Sequence, residues 1–180
     1  SISIMAIPSF KQFDKTKYEK YVEFEGKILI IGYGSVGQAI LPLILRHIVI
    51  DPKKITVLER DYHRQLFIHR HGGSGVNYVR QEITSTNYKK ELAKYVGRGD
   101  MIVNCSLNIE AQALLEWCME NGVMQTDTSL ERWEHHPDET IPKLAERTLY
   151  HTHQVIREAM AQYPNGPTSV SYTHLTLPTI

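Results

Sequence analysis

From Lys27 onward the chain repeats one pattern: a short apolar run, a turn of glycine or small polar residues, then a stretch with apolar residues every three or four positions. Short apolar runs bounded by turn signals read as strands buried on both faces. They fall near 28–31, 55–58, 76–79, 101–104 and 123–126. The intervening stretches read as helices with recognisable ends. The first opens near Ser35 and reaches about His47, and Pro42 inside it removes one backbone hydrogen bond, which predicts a kink. Asp61 is placed to cap a second reaching His71, with Gly72 as its left-handed stop. Thr86 or Asn87 opens a third, closed by Gly97. Asn108 opens a fourth, closed by Gly122, in which Ala111, Leu114, Leu115 and Cys118 share a face. A longer amphipathic helix is predicted over 142–163, ended by Pro164-Asn165-Gly166-Pro167, and Thr168-Ser169-Val170 begins another strand.

Alternating strands and helices with short turns predict an α/β fold, a Rossmann-type doubly wound parallel sheet with helices on both faces. Residues 1–26 are polar, carry the charged run Lys11 to Lys20, and read as an arm or short helix before the first strand. The domain itself spans 27–170. Ser171 to Ile180 does not follow from what precedes it and resembles the translated read-through of a sequencing adaptor. That segment reads as a non-native tail on a chain truncated before a substrate domain, the alternative being a genuine strand with a frayed end.

Gly32, Gly34 and Gly37 form a GxGxxG directly after the first apolar run, and Glu59 closes the second. Strand, glycine turn, helix, strand and an acid about 20 residues past the glycines together make the dinucleotide fingerprint. Gly32 permits the tight turn, Gly34 lets backbone approach a pyrophosphate, and Gly37 lets the helix pack on its strand. The N–H groups of Ser35 and Val36, at the helix start, face the anion. Glu59 can accept hydrogen bonds from an adenosine ribose diol and would repel the extra phosphate of NADP, which favours NAD. Arg60 and Arg64 stand nearby as groups that could instead clasp a 2′-phosphate.

Composition narrows the partners. Twenty basic and twenty acidic residues give a net charge of zero, so no global field holds nucleic acid or an anionic membrane, and small molecules are the expected partners. Cys105 and Cys118 form no CxxC, which fits a reducing cytosol and hence a cytoplasmic location. The longest apolar stretch, Ala39 to Val49, is broken by Pro42, Arg46 and His47 and is too short to span a bilayer. His69 and His71, like His151 and His153, are two residues apart, which on a helix sends them to different faces, so no metal is expected. Arg98-Gly99-Asp100 reads as the turn entering the fourth strand.

Ligands of open parallel sheets bind beyond the carboxyl ends of the strands. After the fourth strand stand Asn104 and Ser106, whose side chains either contact a nicotinamide ribose or pyrophosphate or simply cap a turn. Cys105 between them has no adjacent base and reads as a buried thiol. Asn108 reads most simply as a helix cap. After the fifth strand, Glu131 beside Trp133 can hold an organic ammonium by ion pairing and cation–π attraction, or Trp133 packs on a neighbour.

The segments KILIIGYGSVGQAILPLILRH (27–47), KITVLERD (54–61), HRHGG (69–73), NYVRQEIT (77–84), IVNCSLNIEAQALLEWCMENGVMQTDTSLERW (102–133) and GPTSV (166–170) occur in an order that resembles the bacterial homospermidine synthase family, within the saccharopine dehydrogenase-like group. The resemblance covers about residues 26–170. It implies NAD-dependent aminobutyl transfer between putrescine molecules through an imine, with no net redox change, by a protein that is a homodimer when complete. It places cofactor contacts on Gly32, Gly34, Gly37, Glu59, Asn104 and Ser106, and an acidic substrate contact on Glu131. The loop containing Asn108, a candidate substrate contact, carries an acid in relatives, and Arg132 stands where they carry a proline before Trp133. The family's substrate domain would lie beyond Val170, so this segment alone is expected to be inactive. Two other readings are a saccharopine dehydrogenase-like reductase, which would want arginines for an amino-acid carboxylate, and a non-enzymatic NAD(H)-sensing module.

Overall fold

The computed structural model describes residues 18–107, 109–128, 133 and 149–171. In chain order these form β1 (Val22–Glu23), β2 (Ile28–Ile31), α1 (Ser35–His47), β3 (Ile48–Val49), β4 (Ile55–Glu59), α2 (Gln65–Arg70), β5 (Asn77–Arg80), α3 (Tyr88–Tyr95), β6 (Met101–Asn104), α4 (Ala111–Asn121), β7 (Met124–Asp127), α5 (Leu149–Met160) and β8 (Ser169–Ser171). Six strands make one parallel sheet in the order β5-β4-β2-β6-β7-β8. The strand order reverses at β2, as in a doubly wound Rossmann sheet.

The unbroken apolar run of β2 follows from covering both faces. Ile28 and Ile30 turn to one side, against Leu41, Ile44 and Leu45 of α1 and Ile68 of α2. Leu29 and Ile31 turn to the other, with Leu92 of α3 and Leu114, Trp117 and Cys118 of α4. With successive side chains alternating across the sheet, neither face has room for a polar position. A smaller cluster joins Ala111, Leu115 and Met119 of α4 to Ile156 of α5.

The element ends divide into those the local chemistry dictates and those it does not. Helix α1 spans the expected residues with Pro42 inside it, so the Gln38 carbonyl lacks its usual donor four residues on. Asp61 accepts from the N–H of His63 at a short 3-10 turn that leads into α2, and Gly72 is left-handed with φ 77. Gly122 ends α4 in the left-handed region.

Three readings are corrected. Residues 18–25 are not a helix: β1 pairs in parallel with β3 as a separate two-stranded sheet. Helix α3 stops at an extended Val96, and Gly97 is not left-handed; its N–H is taken by Asp100, whose other oxygen holds the N–H of Lys27. Asn87 precedes α3 without capping it, because its side chain turns back to the N–H of Thr84 and the carbonyl of Glu82. The buried Asp100 carboxylate shows why Arg98-Gly99-Asp100 is a turn. Of the helix expected over 142–163, residues 149–160 are helical and 161–163 already lie past its end, while 142–148 and most of the tail, 172–180, lie outside the described residues.

A Cβ on Gly37 would stand 2.3 Å from the carbonyl oxygen of Gly32, whereas one on Gly97 meets nothing within 4 Å. Gly37→Ala is therefore expected to force α1 off β2 and cost about 1–3 kcal/mol, while Gly97→Ala is neutral or stabilises by about 0.4–1 kcal/mol through the unfolded chain. Urea unfolding of both variants checks this, and equal stabilities would refute the close approach.

Candidate functional site

Because all six strands are parallel, their carboxyl ends open on one edge of the sheet. A cleft of ≈ 380 Å³ lies there, its floor the glycine turn after β2 and its walls the segments after β4, β5 and β6. Gly32 takes φ 86, and a Cβ there would stand 2.8 Å from the Ser106 nitrogen and 2.9 Å from the Cys105 carbonyl. Gly34, Ser35 and Val36 line the cleft. No side chain caps the first turn of α1, so its leading N–H groups are left to serve an anion.

Glu59, at the end of β4, is only 6% exposed. Its Oε2 accepts from the Tyr33 N–H at 2.6 Å and from Arg64 Nη1 at 3.2 Å, and its Oε1 accepts from the Asp61 N–H at 3.0 Å. It is thus a buried, partnered carboxylate on the cleft wall rather than an exposed strand-end charge. Arg64 also lies 3.7 Å from Asp61, and its Nη1 is 3.3 Å from where a Gly34 Cβ would be, so the guanidinium hangs over the glycine turn. Arg60 pairs with Glu82 at 3.6 Å on the exposed rim.

Behind the turn, Tyr33 is fully buried, and its hydroxyl meets His71 Nδ1 at 3.0 Å. Gln38 Nε2 donates to the Tyr33 carbonyl, bracing the turn from α1. Tyr78 crosses Tyr33 edge-on and donates to the Asp61 carbonyl. Burial raises both phenols, Tyr33 further with help from Tyr78, and Tyr78 to about 12 with help from Glu59 and Asp61. Burial, then Arg70, lowers His71.

On the opposite wall, Asn104 is fully buried and does not itself line the cleft. Its Nδ2 donates to Asp127 Oδ2 at 3.1 Å, and its Oδ1 accepts from the Ser106 N–H at 3.2 Å and the Ser106 hydroxyl at 2.8 Å. Ser106 lines the cleft, as do Leu107 and Ile109. Trp133 packs on Tyr88 with ring centroids 5.6 Å apart, against the core beside α3, and is not among the described residues of the cleft wall. Glu131 and Asn108 lie outside the described residues. The placement of Arg64 over Gly34 and the burial of Asp127 were not read from the sequence. The available signal for Asp127 was an acid at the carboxyl end of a strand.

Residues 28–170 match the family described as the saccharopine dehydrogenase NADP binding domain. The chain belongs to this family. The chain is 34% identical over 155 residues to a homospermidine synthase from Mesorhizobium japonicum, covering 84% of this chain and 31% of that protein. It is 31% identical over 160 residues to one from Blastochloris viridis, covering 87% of this chain and 33% of that protein. The fold is also similar to a crystal structure of the homospermidine synthase of Legionella pneumophila in complex with NAD, with TM-score 0.66, 24% identity and coverage of 80% of this chain and 28% of that one. The chain is an NAD(P)-binding domain of homospermidine synthase-like type and spans about a third of the length of the curated relatives it matches. Among the described residues, no helix is long and apolar enough to cross a membrane, and no group of three or more His, Cys, Asp or Glu is placed to hold a metal.

Burial, then Asp127, pushes the thiols of Cys105 and Cys118 up to about 12. Cys105 on the cleft wall is therefore a protonated, weak nucleophile at neutral pH. A thiol raised above its unfolded value contributes stability that is full below about pH 9 and is lost as the pH climbs toward about 12. Stability measured by urea unfolding from pH 8 upward is expected to fall less steeply in Cys105→Ala than in the wild type. Parallel slopes would show a thiol that ionises normally.

Proposed function

We propose that this chain binds NAD in the cleft above Gly32, Gly34 and Gly37, as the cofactor domain of a homospermidine synthase. The observation that carries the reading is the joint arrangement of an uncapped α1 N-terminus, a glycine floor and the buried Glu59 carboxylate on one cleft. These residues fit the group. The pyrophosphate would lie over Gly34 and meet the N–H groups at the start of α1, and the adenosine ribose would meet Glu59. Bound there, NAD supplies an acceptor and later a donor of hydride.

The family description includes NADP, and Arg60 and Arg64 border the same corner. The NAD preference rests on the Glu59 carboxylate, which borders the place the adenosine ribose would take. Arg64 is already shared between Glu59 and Asp61. The kinship with homospermidine synthases supports putrescine as the diamine, handled by a cytoplasmic homodimer when the protein is complete. In that setting Glu131 pairs with a substrate ammonium, and Asn108 and Trp133 border it.

Calorimetric titration of the chain is expected to show NAD bound more tightly than NADP. Gly34→Val should abolish binding, and Glu59→Gln should shift the NAD:NADP preference about 10- to 100-fold toward NADP, the range for hydrogen bonds to a charged group. Wild-type preference for NADP would make Arg60 and Arg64 the controlling groups. For the reaction, a chimera carries residues 26–170 in place of the matching segment of the Blastochloris viridis homospermidine synthase. It is expected to release homospermidine from putrescine, and Glu131→Gln to lower kcat/KM roughly 30- to 1,000-fold. A competent chimera indifferent to Glu131→Gln would remove that residue from the site; a folded chimera that binds NAD without turnover would favour a reductase or a sensor.

A further inference from the structure

The Tyr33 ring lies behind the glycine turn and is fully buried, so its hydroxyl has to find a partner inside the protein. That partner is His71 Nδ1, at 3.0 Å. The hydroxyl has no second acceptor among the described residues, so its proton points at Nδ1, which carries a lone pair, and the ring proton of a neutral His71 sits on Nε2. The residue between Gly32 and Gly34 is thereby held at three points. Its N–H donates to Glu59 at 2.6 Å, its carbonyl accepts from Gln38 at 3.0 Å, and its hydroxyl donates to the end of α2.

The end of α2 is a firm anchor. The His71 N–H bonds the Phe67 and Ile68 carbonyls, and the Gly73 N–H returns to the Ile68 carbonyl. A Cβ on Gly73 would stand 2.7 Å from Ile68 Cγ2 and 3.3 Å from Leu41 of α1, so this corner has no slack. The groups facing the imidazole are Tyr33 from the turn after β2, with Tyr78 of β5 edge-on to it, and Phe67 and Arg70 of α2. Phe67 stacks on the imidazole with ring centroids 6.4 Å apart, and the Arg70 guanidinium lies 5.7 Å from the same Phe67 ring. The one charge among these groups is a cation. Burial first and Arg70 second hold His71 below the ordinary imidazole range, which leaves it neutral at pH 7.

We infer that His71 is a positioning residue for the glycine turn: its neutral imidazole holds the Tyr33 hydroxyl, and protonating it loosens the turn and weakens cofactor binding. The sign follows from the count of hydrogens. An imidazolium carries N–H at both nitrogens, so Nδ1 would donate instead of accept, and the Tyr33 proton would be turned into the apolar cluster of Ile30, Leu41 and Val57. A turn set for the cofactor therefore keeps His71 neutral, its pKa is lower in the bound protein than in the free one, and affinity is full above the free-protein pKa and falls as the pH drops through it. His71 does not line the cleft, so it acts through Tyr33. This assignment rests on the dinucleotide reading above. It adds a control of that site by a proton held outside it.

Calorimetric titration of the chain with NAD, from about pH 8 down to about pH 5, tests the assignment. Wild-type affinity is expected to fall about 3- to 10-fold further over that range than the affinity of Tyr33→Phe, which has no hydroxyl proton to misplace, as for one neutral hydrogen bond. The other histidines titrate in both proteins and cancel. At about pH 8, His71→Leu should lose a comparable factor. His71→Asn, whose side-chain oxygen can accept from Tyr33, should recover most of it and show the shallow pH profile of Tyr33→Phe. If His71→Leu fails to fold in a thermal melt, the profiles of the wild type, Tyr33→Phe and His71→Asn decide. Equal acid losses in the wild type and Tyr33→Phe, or a folded His71→Leu with a lower Tm and unchanged NAD affinity, overturn the assignment. A folded wild type that binds no NAD at any of these pH values would instead overturn the dinucleotide reading on which it stands.

Discussion

The cleft depends on one buried carboxylate. Glu59 is drawn out of water at the end of β4, and an isolated charge there would be costly. Two backbone N–H groups and a guanidinium offset that cost. The partners are not interchangeable: one N–H belongs to Tyr33 inside the glycine turn, the other to Asp61 at the entry to α2. A single side chain thus ties the turn after β2 to the loop after β4, and the cleft floor is shaped before any ligand arrives. Preorganisation of this kind spares a ligand the cost of ordering its own site.

The close approach of Gly37 to Gly32 completes the constraint. It brings the start of α1 down onto the end of β2, so the uncapped N–H groups and the Glu59 carboxylate border one small volume. The two flanks of that volume are built differently. On the β4 side an acid stands on the wall itself. On the β6 side the acid, Asp127, lies behind and accepts from Asn104, whose oxygen in turn accepts from the Ser106 hydroxyl. Both flanks present acceptors, and the donors lie between them at the helix start.

Much of this was legible in the chain because the relevant signals are local. A strand covered on both faces must be continuously apolar, and β2 is; a helix start on a phosphate needs glycine, and the turn has it. The misses are places where a side chain chose a distant or backward partner. Asn87 was available as a cap but reached back to Thr84 and Glu82. Gly97 looked like a helix stop, yet the end of α3 is held by Asp100, three residues on, whose other oxygen bonds Lys27 across the fold. The pairing of β1 with β3 uses two residues from each segment, too few for any periodicity to show. Ser106 was legible as a cleft residue by position, but Asn104 lies buried behind it, held to Asp127.

The corner around Glu59 also shows why counting nearby arginines misleads. Arg64 is close enough to Gly34 and Glu59 to suggest a phosphate clamp, but its charge is already divided between Glu59 and Asp61. Arg60 pairs with Glu82 on the exposed rim, a pairing of little energy. A 2′-phosphate entering this corner would meet the Glu59 carboxylate while competing with two acids for Arg64. An unphosphorylated ribose would meet the same carboxylate as an acceptor and leave the Arg64 pairing intact. The charge arrangement therefore favours the ligand that requires no exchange of partners.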